Sequence, residues 1–129
     1  VARIWDVNGQ EVARLEGHQG FIHSIDFSPD GEKLLTTSWD NTARIWNLDG
    51  QETATLVGHQ NYVWSGGFTP DSQKVITAGW DDTARLWDLN GRELAIFQGH
   101  QSSLKDIVID PQGRYFATAS DDSTARIWS

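Results

Sequence analysis

Four histidines, 18 Asp and Glu residues and a scatter of serines are the groups in this 129-residue chain that could carry out chemistry. With no cysteine, thiol nucleophiles, thiolate metal sites and disulfides are all excluded. A Ser–His–Asp set can be drawn from Ser24, His23 and Asp26. However, adjacent residues of a strand point to opposite faces, so Ser24 and His23 diverge, as do His23 and Asp26. The acid pairs Asp81-Asp82 and Asp121-Asp122 lie in turn sequences, where Asp is favoured for local hydrogen bonding, and they do not converge as a glycosidase pair would. No phosphate-binding glycine loop, HExxH or GxSxG is present. The chemistry-bearing residues therefore read as structural, with no catalytic set, no metal site and no cofactor.

The spacing of those residues is the strongest signal in the chain. Gly17-His18, Gly58-His59 and Gly99-His100 lie 41 residues apart. Trp5, Trp46, Trp87 and Trp128 keep the same interval, within the hexamers VARIWD (1–6), TARIWN (42–47), TARLWD (83–88) and TARIWS (124–129). The chain is three periods plus one extra copy of a six-residue segment. Internal repetition of this length signals stacked repeats or propeller blades.

One period reads as four strands: Thr42–Leu48, Glu52–Val57, Tyr62–Thr69 and Lys74–Gly79. The first pair is joined at Asp49-Gly50, matched by Asn8-Gly9 and Asn90-Gly91, and such dipeptides favour a type I′ turn with positive φ at both central residues. Ser28-Pro29-Asp30-Gly31 is a type I turn signal. The linkers leave no room for helices. The expected fold is all-β, with antiparallel four-stranded units.

The chain resembles the WD40 repeat family. The resemblance rests on the Gly-His pairs, the Ser-Pro-Asp-Gly turn, the turn acids Asp40, Asp81 and Asp122, and the Trp-Asp pairs at 5–6 and 87–88. It implies a WD40-type β-propeller, with three four-stranded antiparallel blades in a single segment (about 1–47, 48–88 and 89–129). It also implies a buried hydrogen-bonded chain in each blade: His18–Ser38–Asp40–Trp46 and His100–Ser120–Asp122–Trp128. In the middle blade His59, Asp81 and Trp87 match but Gly79 stands at the serine position, so that network is expected to be incomplete and the blade the weakest. By the same resemblance, partner contacts fall on Phe21, His23, Trp39, Tyr62, Trp64, Trp80, Ser103, Lys105 and Asp121. The three tryptophans outside the repeat hexamers all land on these positions, and exposed aromatics are common interface anchors. Their faces could also hold a cation or methylated amine.

Three blades do not close a ring, which typically takes 4–8. The end blades would expose apolar faces, so the ring is expected to close by oligomerisation: a homodimer of six blades or a homotrimer of nine. Gln10–Leu15 would serve as outer strand for the last blade of the next chain. Val1–Asp6 and Ser123–Ser129 are copies of one strand and compete for one slot, so either one of them is displaced or disordered or the chain is an excerpt from a longer array. The net charge of −8 fits neither a nucleic acid partner nor an anionic membrane. No apolar run nears the roughly 20 residues of a membrane span, and no signal peptide pattern is visible, although a first residue of Val leaves a removed leader open. The expectation is a cytoplasmic, non-catalytic interaction scaffold with an unidentified protein or peptide partner. Alternatives are a small-ligand or glycan-binding ring, a hydrolase using His23, and a designed or excised repeat module with no evolved function.

Overall fold

The computed structural model describes residues 1–129 and contains thirteen strands and no helix. They are β1 (Ala2–Trp5), β2 (Glu11–Leu15), β3 (Ile22–Phe27), β4 (Lys33–Ser38), β5 (Thr42–Asn47), β6 (Glu52–Val57), β7 (Val63–Phe68), β8 (Lys74–Gly79), β9 (Ala84–Asp88), β10 (Glu93–Phe97), β11 (Leu104–Ile109), β12 (Phe116–Ser120) and β13 (Ala125–Trp128). All pairings are antiparallel between chain neighbours, giving sheets β1-β2, β3-β4-β5-β6, β7-β8-β9-β10 and β11-β12-β13. The expected three four-stranded blades are thus two. The last sheet lacks its outer strand, and the first hairpin lacks the two strands that would lie inside it.

Burial explains why these segments are strands. β4 and β8 lie inside four-stranded sheets and bury nearly every residue on both faces, from Leu34 to Ser38 and from Val75 to Gly79. The edge strand β10 alternates half-buried and exposed positions instead. The sheets stack through repeating side-chain sets. Ala43, Ile45 and Leu56 of one blade meet Val75 and Trp87 of the next. Forty-one residues on, Ala84 and Phe116 meet Leu86, Phe97 and Trp128. The hairpin β1–β2 takes the same seat against blade one: Ala2, Ile4 and Leu15 cover Leu34 and Trp46. It is therefore the outer half of a preceding blade. Both copies of the duplicated strand are paired within the single chain, β1 on β2 and β13 on β12. The two copies sit at opposite ends of the stack and do not meet.

The Asn-Gly and Asp-Gly turns are not type I′. Only the glycine has positive φ (Gly9 86°, Gly50 91°, Gly91 90°). In each, its amide donates to the carbonyl three residues back, as Gly50 N–H does to Asn47 O at 3.2 Å. This is a type I turn followed by a left-handed glycine and a bulge, with the pairing shifting at Ile45/Trp46. The dipeptide signal identified the hairpins but, with a loop longer than two residues, not their turn type. The Ser28–Gly31 turn forms as expected, Gly31 N–H donating to Ser28 O at 2.8 Å.

Candidate functional site

Two groups of side chains gather the polar and aromatic residues of the chain. The first lies inside the blades. His18 Nδ1 is 2.8 Å from Asp40 Oδ2, and His18 Nε2 is 2.7 Å from Thr36 Oγ1. Trp46 Nε1–H donates to the same Thr36 hydroxyl at 2.8 Å. Blade two repeats this with Asp81, His59, Thr77 and Trp87, and the last sheet with Asp122, His100, Thr118 and Trp128. The bridging hydroxyl therefore belongs to Thr36, Thr77 and Thr118, not to Ser38 and Ser120. Ser38 Oγ instead accepts from Asp40 N–H at 3.1 Å, and Ser120 Oγ donates to Ser102 O at 2.8 Å. Gly79 consequently leaves no gap, and the middle network is complete. A Cβ at 79 would lie 2.6 Å from His59 Nδ1, because the imidazole and Asp81 take up that space.

The proton arrangement follows from counting donors. Trp46 N–H donates to Thr36, the Thr36 hydroxyl donates to His18 Nε2, and His18 Nδ1–H donates to Asp40. Each donor has one acceptor only if the imidazole is neutral. Burial lowers the His18 pKa and favours that state. Burial alone would raise the Asp40 carboxyl, but donors from Thr42, His18 and Gln19 outweigh it and hold the pKa at about 2. Asp81 is lowered too, its burial outweighed by His59, Gln60 and Thr83. Asp122 is lowered first by the Thr124 hydroxyl. A residue locked in this way holds the blade and is not free to move protons to a substrate.

The second group is an aromatic face. A recurrent backbone bond, from the amides of Trp39, Trp80 and Asp121 to the carbonyls of Phe21, Tyr62 and Ser103 at 2.9–3.0 Å, fixes pairs of the expected contact residues side by side. Phe21 meets Trp39 edge-on at 5.1 Å, and Trp39 stacks on Tyr62 at 4.9 Å with 10° between planes. His23 stacks on Trp64 at 3.6 Å, and Trp64 on Trp80 at 4.7 Å. Lys105 Nζ lies 4.0 Å from the Trp80 centroid and 3.1 Å from Asp121 Oδ2. The nine residues from three sheets thus form one continuous array, with only the Ser103 side chain adding no contact to it. The indole N–H groups of Trp39 and Trp80 are buried without a partner. His23 Nδ1 bonds to the Trp64 carbonyl at 2.7 Å and Ser24 Oγ to Thr37 Oγ1 at 2.6 Å, so no Ser–His link exists.

Sequence reasoning missed the bridging threonines, although Thr recurs in all three periods at 36, 77 and 118 while Ser recurs in only two. Arg3, Arg44 and Arg85 recur at equivalent positions, for which the sequence favours surface or ion-pair roles, and they pair across their hairpins with Glu11, Glu52 and Glu93 at 2.7–3.2 Å.

Comparison with known proteins agrees with this architecture. The family model for the WD domain, G-beta repeat, matches residues 9–47, 50–88 and 91–129. The chain is similar to the periodic tryptophan protein 2 homolog of Neurospora crassa, 49% identical over 41 residues, which are 31% of this chain and 5% of that protein. It is similar to the guanine nucleotide-binding protein subunit beta of Saccharomyces cerevisiae, 48% identical over 40 residues, 30% of this chain and 10% of that protein. It also matches ribosome assembly protein 4 of Chaetomium thermophilum, 45% identical over 42 residues, 30% of this chain and 8% of that protein. Each alignment covers about one repeat, and the chain spans a small fraction of these relatives. Three in-phase matches over nearly all its length show that the chain belongs to the WD40 repeat family.

Proposed function

We propose that this chain is a non-catalytic protein-interaction scaffold of the cytoplasm, whose aromatic face is the partner-binding surface. The observation that carries this reading is the unbroken array from Phe21 to Lys105, built on rigid strand ends. Large aromatic side chains with exposed edges (Phe21 is 74% exposed) are the anchors that dominate binding energy. Two buried indole N–H groups without acceptors are a cost of about 1–3 kcal/mol each that packing alone does not call for. The experiment is a peptide and glycan array probed with parent chain and with a Trp39→Ala/Trp64→Ala double variant. Peptide binding lost in the variant supports the scaffold. Glycan binding alone would favour a small-ligand ring, and affinities unchanged by the double substitution would overturn the site.

The proposal extends to assembly. Copies of these 129 residues, brought together, close a ring, two giving six blades or three giving nine. The end faces support this. At one end Trp5, Ile25 and Phe27 are half exposed around a cleft of about 410 Å³. At the other, Ile127 is 77% and Val108 61% exposed. Trp5 is 54% exposed where its counterparts Trp46 and Trp87 are fully buried. Two dissimilar, unsatisfied faces suit head-to-tail closure.

A further inference from the structure

Position 105 is the one place on the aromatic face where a repeat supplies a cation. Its counterparts in the other two periods are His23 and Trp64, both aromatic. Asp121, likewise, stands where the other periods carry Trp39 and Trp80. Both departures fall in the same sheet and meet: Lys105 Nζ is 3.1 Å from Asp121 Oδ2. The ammonium lies over two indoles of the neighbouring blade, 4.0 Å from the Trp80 centroid and 5.0 Å from that of Trp64. A positive charge against two negative ring faces with a carboxylate counter-ion is the geometry in which proteins hold an alkylammonium group.

We propose that this corner is an alkylammonium site, with Trp64 and Trp80 as its walls and Asp121 as its counter-ion, and that Lys105 is its built-in occupant. The external ligand is a lysine or methylated lysine side chain of a basic partner segment, which enters as Lys105 swings out. This rests on the reading of the aromatic face as the partner surface, and names the partner's chemistry. Three features make the occupant displaceable. The side chains of Lys105 and Asp121 are 33% and 54% exposed, so water screens their ion pair. Lysine reaches the site on a flexible four-carbon stem that can turn into solvent without disturbing β11. The chain's net charge of −8 favours a basic partner over an acidic one. The rest of the array offers no equivalent site. Lys105 is the one cation that lies over its rings, the chain's other cation–ring pair being Arg114 over Tyr115, outside the array.

The test is to remove the tethered cation and supply a free one. Tetramethylammonium chloride is titrated into parent chain, Lys105→Ala and Lys105→Ala/Asp121→Asn, following the indole N–H signals by NMR. Sodium chloride at equal ionic strength and neutral tert-butanol serve as controls. Lys105→Ala is expected to bind tetramethylammonium about tenfold more tightly than the parent, and the double variant to lose most of that gain. The controls are expected to move nothing. Lys105→Ser, which matches the neighbouring Ser103, repeats the measurement should the alanine variant fold poorly. Equal affinity in parent and Lys105→Ala would overturn the inference, as would equal response to tert-butanol. A peptide whose binding is abolished by Trp39→Ala/Trp64→Ala but indifferent to Lys105→Ala would overturn the inference while leaving the aromatic face as partner surface.

Discussion

Thr36 is the hinge of blade one's polar chain. Its single hydroxyl accepts from Trp46 and serves His18. Thr36→Val preserves shape but strands an indole N–H and an imidazole nitrogen in a site that is 0% exposed at residue 36. The expected loss is about 2–4 kcal/mol in urea unfolding. Ser38→Ala removes only an acceptor for the Asp40 amide and is expected to cost about 1 kcal/mol or less. If the two substitutions cost the same, the threonine assignment is wrong. The same chain sets the acid response. Asp40 titrates at about 2 when folded, below its ordinary 3.8, so the unfolded state binds more protons between those values and stability falls as pH drops through them. His18, lowered by burial, adds a loss that begins as pH falls below its ordinary 6.5. Asp26, raised by burial, opposes both. The urea midpoint is therefore expected to decline from pH 7 toward pH 3. In His18→Gln, the part of that decline that sets in just below pH 6.5 is expected to shrink, and a midpoint flat over the whole range in the parent would contradict the neutral-imidazole chain. This detail was only partly legible in the sequence. Residues 36 and 38 share a strand face, and proximity to Asp40 favours serine. Only the pairing of β4 with β5, which sets Leu34 opposite Trp46, places the indole nitrogen beside 36.

At the scale of the strand and turn, the repeat was far more legible. β6 and β8 span the ranges expected, and β5 and β7 end within one residue of them. Period-two burial and turn residues are local signals, and they are written three times over. What local signals do not carry is how many strands share a sheet, because that depends on which segment comes to lie at each edge. Turn type was also beyond them, since the loop length that selects it is set by where pairing stops. Gly79 tests the element view. Substituting Ser, the residue at both equivalent positions, looks like a repair from sequence alone. In the structure it presses a Cβ into His59 and Asp81, and Gly79→Ser is expected to destabilise the chain by about 1–3 kcal/mol in thermal or urea unfolding. A gain in stability would show that the middle network has slack that these distances do not reveal.

For the whole molecule, two ends of a stack of sheets decide the behaviour. Side chains that are buried in the interior blades recur at the ends as exposed surface, most plainly Trp5 against Trp46 and Trp87. Exposed apolar faces of this kind favour association. Trp5→Glu and Ile127→Glu each place a charge on one face only. In head-to-tail closure either alone is expected to reduce assembly, while leaving the His–Thr–Trp chains of blades one and two intact. A size shift in one variant and none in the other would argue against two different faces meeting. The most direct measurement is the mass of the 129-residue chain in solution by light scattering. Ring closure predicts two or three times 14.4 kDa at micromolar concentration, and a stable, well-behaved species of 14.4 kDa would contradict it.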